Sequence, residues 1–215
     1  MNLPNRITVA RICLIPLFVF FYMADFIPGG YGKLAAAFVF AVASFTDFLD
    51  GKIARKRGLV TNLGKFLDPI ADKVLVMAGL LLICAYPITA KGGVNPAAPA
   101  IAPVYVGAIF VIVVLARELI VSAFRQIAAT KNFVIAADMY GKVKTVFQMI
   151  TLIYYFILAF MIQGFYANVA GTAFTVLNII GYVLIAITTI LTIISGFNYI
   201  WKNRQVFKDE KKNEN

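Results

Sequence analysis

The chain contains no histidine and only two cysteines, and charged residues make up just 14% of its 215 positions. Each shortage closes a route. Without histidine, the commonest general base and the usual transition-metal ligand are missing, so any acid–base work falls to carboxylates, lysine or tyrosine. Cys13 and Cys84 lie in apolar runs, with neither metal-ligand spacing nor a disulfide framework around them. They read as packed or lipid-facing thiols. The scarcity of charge goes with 61% hydrophobic residues and a mean hydropathy of +0.86, well above the roughly 45–50% apolar content of soluble domains. That balance excludes a soluble enzyme with a large core and indicates an integral membrane protein. No internal repeat, soluble domain or low-complexity tract stands out.

What is present is a series of apolar runs. The first, Ile7 to Ile27, is too long for a signal-peptide core and is followed by no small-x-small cleavage pattern, so it is expected to be retained. Six stretches approach the roughly 20 residues a bilayer requires: Thr8–Ile27, Leu34–Ala54, Ile70–Ile88, Ile101–Ile120, Val143–Gln163 and Thr172–Tyr199. The expected fold is an all-α integral membrane protein with six transmembrane helices in one domain, residues 1–201, and a charged cytoplasmic tail, residues 202–215. The many phenylalanines and tyrosines read as lipid-facing or belt residues.

The links between these stretches alternate in charge. Of the 20 basic residues, only Lys33 and Lys91 fall on one side. All the others fall on the opposite side, in the N-terminal flank, the second and fourth links and the tail. The positive-inside rule then places both termini at the cytoplasmic face of the cell membrane. Topology and attraction to anionic headgroups account for the net charge of +10, and nucleic acid is not an expected partner.

Only ten residues are acidic, and four of them fall between Ser44 and Lys73: Asp47, Asp50, Asp68 and Asp72. At about 100° per helical residue, Asp47, Asp50, Gly51 and Ala54 share one face, and Asp68 and Asp72 stack one turn apart. A short link, Lys56 to Leu63, would fold the two segments into a hairpin. Asp47 precedes Arg55 by eight residues, which places it ~12 Å deeper than the basic edge. Intramembrane carboxylates are costly and mark functional sites by default. Four together call for divalent cations, and oxygen-only ligation favours Mg²⁺, Mn²⁺ or Ca²⁺ over zinc. Carboxylate-bridged metal pairs recur in phosphoryl transfer. Gly51 and Gly64 permit close approach, Ala54 keeps the face open, and Arg55 can pair with a phosphate. Buried ion pairs with Lys52, Arg55 and Lys73 are the plainer alternative. Asp68 before Pro69 suits a helix N-cap or a mild kink.

Asp47-x-x-Asp50-Gly51-x-x-Ala54-Arg55, eight residues, then Gly64-x-x-x-Asp68-x-x-x-Asp72 resembles the signature of the CDP-alcohol phosphotransferases at every specified position. Further segments, Asn2 to Arg11, Leu67 to Lys73, Ala116 to Leu119 and Gly141 to Thr145, are similar to family members that use glycerol 3-phosphate. The resemblance implies CDP-diacylglycerol as donor, sn-glycerol 3-phosphate as acceptor, and CMP and phosphatidylglycerophosphate as products. It also implies a divalent metal, Mg or Mn, as a pair of ions, and a homodimer in the cell membrane with its active site facing the cytoplasm.

By the same resemblance, Asp47, Asp50, Asp68 and Asp72 hold metal, and Asp72 also deprotonates the acceptor hydroxyl. Gly51, Ala54, Arg55 and Gly64 line the CDP-lipid site, and Asn5 and Thr8 close over the nucleotide, although Asn5 equally suits a helix cap. The acceptor phosphate needs cations outside the signature. Arg117 and Lys142 are the leading candidates, followed by Arg125, Lys144 and Arg11. A local pair with Glu118, or snorkelling, also accounts for part of Arg117, and positive-inside bias accounts for Lys142 and Lys144. The rivals are a relative with inositol phosphate, serine or phosphatidylglycerol as acceptor, and a divalent-cation transporter. A transporter should carry acids through to the far face, where only Asp25 occurs.

Overall fold

The computed structural model describes residues 3–57, 62–85, 87–88, 98–99, 104–130, 139–169 and 172–204, with side chains over residues 8–46, 70–71, 73–85, 104–128, 139–164 and 175–204. Among the described residues, six α-helices carry the fold: α1 Leu3–Met23, α2 Tyr31–Arg57, α3 Asn62–Ala85, α4 Val104–Thr130, α5 Met139–Val169 and α6 Thr172–Lys202. The expectation of an all-α chain needs one amendment. Pro87–Ile88 and Ala98–Pro99 pair antiparallel as β1 and β2, a two-residue ladder in the Pro- and Gly-rich link before α4.

Among the described residues, four helical stretches are long and apolar enough to cross a bilayer: Pro28–Thr46, Val104–Ala128, Met139–Gly164 and Thr175–Lys202. Thr8–Met23 and Lys73–Ala85 are shorter apolar helices over the described residues. With 31 residues each, α5 and α6 run for ~46 Å at 1.5 Å per residue, beyond the roughly 30 Å hydrocarbon core. Each is therefore long enough to cross such a core with residues to spare.

Several boundaries differ from the sequence expectation. Helix α1 stops at Met23 because Pro28-Gly29-Gly30 breaks the run; a 3₁₀ turn over Pro28–Gly30 holds Gly29 and Gly30 at positive φ. Asn5 lies inside α1, which begins at Leu3, and so does not cap it. Helix α3 begins at Asn62 and runs through Asp68 and Pro69, so Asp68 is not an N-cap either.

The chain forms two compact units, Met1–Gly107 with Leu152–Asn178, and Ala108–Thr151 with Ile179–Asn215. In the first, α1 packs along α2 and α3, and α2 also touches α3. The buried residues of α1, Thr8, Arg11, Ile15, Phe18 and Tyr22, recur every three or four positions, the spacing of one helix face. Phe18, Phe40 and Phe156, from α1, α2 and α5, are fully buried with centroids 5.2–5.5 Å apart. Lipid tails are as apolar as these rings, so area burial stabilises little here. Close packing carries this contact, with two tilted ring pairs and one edge-to-face pair, Phe40 on Phe156, each worth roughly 0.5–1.5 kcal/mol. Gly79 lets α3 approach it, since a Cβ there would meet Phe40, Leu152 and Phe156 at 3.3–3.4 Å.

The α1–α2 turn is fixed by polar contacts. The ammonium of Lys33, buried in α2, donates to the carbonyl of Tyr22 and, at 2.8 Å, to Asp25. Gln163 of α5 donates to the same carboxylate oxygen at 3.0 Å. The carboxylate at the far edge of the first apolar run is thus engaged structurally.

In the second unit, Val121, Phe124, Ala128 and Tyr199 form an apolar cluster. Thr151 and Thr188 hydroxyls meet at 2.8 Å between α5 and α6. Thr151 and Thr192 also bond back to the carbonyls of Phe147 and Thr188, so these hydroxyls are satisfied without water.

Candidate active site

The signature divides between the C-terminal end of α2, which carries Asp47, Asp50, Gly51, Ala54 and Arg55, and the N-terminal half of α3, which carries Gly64, Asp68 and Asp72. The side chains of these residues, and that of Asn5, lie outside the described residues. In α2 the buried positions are Lys33, Ala36, Ala37, Phe40 and Ala43. Asp47, Asp50, Gly51 and Ala54 follow in the C-terminal half of the same helix. In α3 the buried positions include Ala71, Leu75, Val76, Gly79, Leu80 and Ile83. Asp68 and Asp72 precede Leu75 and Gly79 by seven residues in the same helix. Both stripes belong to helices that touch each other and α1.

Two candidates from α1 have described side chains. Thr8 and Arg11 are each 1% exposed and extend the Ile15–Phe18–Tyr22 stripe toward the helix N-terminus. A charged guanidinium there is retained only at a site that uses or neutralises it.

The remaining cationic candidates gather in the second unit. Arg117 Nη2 donates to Ser195 Oγ at 2.6 Å, and Nη1 lies 3.5 Å from Glu118 Oε1. The Lys144 ammonium, fully buried, pairs with that same Glu118 oxygen, and Ser122 bonds back to the Glu118 carbonyl at 2.6 Å. Buried Arg117 Nε finds no hydrogen-bond partner among the described residues, so the guanidinium has donor capacity left for a ligand. Two glycines frame it: a Cβ at Gly196 would sit 3.1 Å from Arg117 Cγ, and one at Gly141 would sit 3.5 Å from Nη2.

Arg125 is engaged by Tyr199, with its Nε 3.2 Å from the hydroxyl and the guanidinium 5.4 Å from the ring centroid. Lys142 is exposed. The structure thus brings Arg117 and Lys144 to one carboxylate. Glu118, which the sequence offers only as a local partner of Arg117, pairs with both cations, and Ser195 holds Arg117. A signal existed for Glu118, an acid inside an apolar run. The pairing of Ser195 with a residue 78 positions away left none.

The oxygen-only donor set of four aspartates suits a hard divalent cation. Among the described residues no group of three or more metal-ligating side chains occurs.

The sequence model of the CDP-alcohol phosphatidyltransferase family matches residues 1–194. A CDP-diacylglycerol–glycerol-3-phosphate 3-phosphatidyltransferase of Bacillus subtilis is 35% identical over 96% of this chain and 97% of its own length. The Rickettsia felis protein of that name is 34% identical over the same shares. The Escherichia coli one is 37% identical over 70% of this chain and 74% of its own.

Proposed function

Because this chain belongs to the CDP-alcohol phosphatidyltransferase family, we propose that it transfers a phosphatidyl group from CDP-diacylglycerol to sn-glycerol 3-phosphate, giving phosphatidylglycerophosphate and CMP. The reading is supported by relatives whose names specify that reaction and which align with almost the whole chain. The observation that carries it is the placement of the signature on two touching helices: Asp47, Asp50, Gly51, Ala54 and Arg55 stand in α2, and Gly64, Asp68 and Asp72 in α3.

In this reading Asp47, Asp50, Asp68 and Asp72 hold a pair of Mg or Mn ions. Such ions, when bound, neutralise charge on the diphosphate and on the departing CMP oxygen. Asp72 accepts the proton of the acceptor hydroxyl. That oxygen bonds to the lipid-side phosphorus, and the bond from phosphorus to the CMP oxygen breaks. Gly51, Ala54, Arg55 and Gly64 accommodate the CDP moiety, with Asn5 and Thr8 closing over the nucleotide. Arg117 and Lys144 bind the acceptor phosphate, positioned by Ser195 and Glu118; exposed Lys142 adds a solvent-side charge, and Arg125 and Arg11 play secondary parts.

All six apolar helices span the membrane in this proposal, with the site opening to the cytoplasm and to the bilayer, and the enzyme is a homodimer. The charge bias supports the orientation. On the sparsely charged side Lys33 is paired with Asp25. That pairing also speaks against a cation pathway through Asp25.

The test is CMP release from labelled CDP-diacylglycerol by the purified protein with Mg²⁺ or Mn²⁺ and a panel of acceptors. Glycerol 3-phosphate should give the highest rate, and EDTA should abolish it. Asp72→Asn should lose turnover yet still bind CDP-lipid. Absence of CMP release with every acceptor, or metal uptake by proteoliposomes without lipid turnover, would sink the proposal.

A further inference from the structure

Outside the residues assigned above, α6 and the first turn of α5 enclose a groove of about 460 Å³ lined by Tyr140, Ile193, Ile194, Phe197, Asn198 and Trp201. Its size falls within the range of small-ligand sites, roughly 300–1,000 Å³. Five of the six lining residues are apolar or aromatic. The five from α6 share one face, away from the buried positions Thr188, Thr192, Ser195 and Tyr199, and they lie in a helix apolar enough to cross a bilayer. The surrounding solvent is therefore hydrocarbon, and an acyl chain can enter.

The end of the groove differs in chemistry. Trp201, the only tryptophan in the chain, stacks on Phe197 with centroids 5.8 Å apart. The Arg204 guanidinium lies 5.0 Å from the Trp201 centroid. Lys202 is exposed one helical turn beyond Asn198. An indole with a Tyr opposite is the composition of a membrane–water interface, and two exposed cations just past it give the groove an anion-attracting mouth.

We infer that this groove is a binding site for an anionic phospholipid of the bilayer, distinct from the donor and acceptor: one acyl chain lies along Ile193, Ile194 and Phe197, and the headgroup phosphate meets Lys202 and Arg204. Charge complementarity selects this occupant. A zwitterionic lipid would bring its own cation to the same mouth. A second copy of the chain would have to bring two like charges together at the C-terminal end of α6 in a two-fold contact. The site does not depend on the proposed reaction.

The single tryptophan serves as the reporter. The full chain is reconstituted into phosphatidylcholine vesicles containing either phosphatidylglycerol or phosphatidylcholine with brominated acyl chains, and indole quenching is titrated without CDP-lipid. Brominated phosphatidylglycerol should bind better than brominated phosphatidylcholine by about fivefold per engaged cation, up to ~30-fold for two. The Lys202→Gln/Arg204→Gln double variant, altered only at exposed residues, should reduce that ratio to about one, with quenching by phosphatidylcholine retained.

Equal quenching by both lipids in the natural protein would mean ordinary annular contact and would overturn the inference. So would protection of the indole from both lipids in a dimeric preparation, which would identify a second copy as the occupant. Recovery of fluorescence by unbrominated CDP-diacylglycerol, where equal unbrominated phosphatidylglycerol has no effect, would assign the groove to the donor and equally overturn it.

Discussion

Replacing Ser195 by alanine removes one atom from the molecule, and its consequence follows from the contacts of Arg117. The guanidinium is held by the 2.6 Å bond to Ser195 Oγ and the longer 3.5 Å approach to Glu118. The second lies at the limit of hydrogen-bond geometry, so Ser195 is the main directional restraint. A hydrogen bond to a charged group is worth about 1.5–3 kcal/mol. The Arg117 side chain is 13% exposed, so little water can compensate, and about 1.5–2 kcal/mol is the expected loss at the acceptor phosphate. At about 1.4 kcal/mol per factor of ten, that is a tenfold to thirtyfold rise in KM for glycerol 3-phosphate. The KM for CDP-diacylglycerol should stay within about twofold, while thermal stability should fall by about 1–2 kcal/mol, because the substitution leaves a buried guanidinium donor without its partner. Steady-state assays at saturating CDP-lipid measure the first quantity, and assays at saturating acceptor measure the second. An acceptor KM like the natural enzyme's, or equal rises for both substrates, would refute the positioning role of Ser195. If Arg117→Ala also left the acceptor KM unchanged, the assignment of the acceptor phosphate to Arg117 would fail with it.

Two further substitutions test the fold in the first unit. Gly30→Ala should lower thermal stability in detergent by at least the roughly 1–3 kcal/mol of a strained backbone, since φ is +72° and the new Cβ would sit 2.8 Å from the Phe160 carbonyl oxygen; an unchanged melting temperature would mean that the turn is not packed on α5. Asp25→Asn should cost about 1–3 kcal/mol by taking a charged partner from buried Lys33. Its turnover per folded molecule should remain normal, and a selective loss of turnover would implicate Asp25 in function instead.

The legible part of this protein was whatever periodicity and local chemistry encode. Apolar runs announced the helices, because a backbone in lipid must satisfy its hydrogen bonds within the segment. The Asp47–Asp72 spacing announced the candidate site, because acids repeating at helical intervals among apolar residues are too costly to be incidental. The two-residue ladder of Pro87–Ile88 with Ala98–Pro99 could not be read, since so short a pairing leaves no alternation pattern. Helix boundaries shifted where a breaker acted differently from its usual role: Pro69 lies inside α3, and Pro28 with its two glycines ends the first run early.

Long-range partnership was decided by tertiary structure alone. Nothing in sequence distance joins Arg117 to Ser195, Lys144 to Glu118, or Asp25 to Lys33 and Gln163 at once. Lys142 and Lys144 are two residues apart and look alike in the sequence, yet one is exposed and the other fully buried. The reason is physical: hydrophobic period and motif spacing are properties of one helix, whereas the partner of a buried charge depends on which helices pack against it.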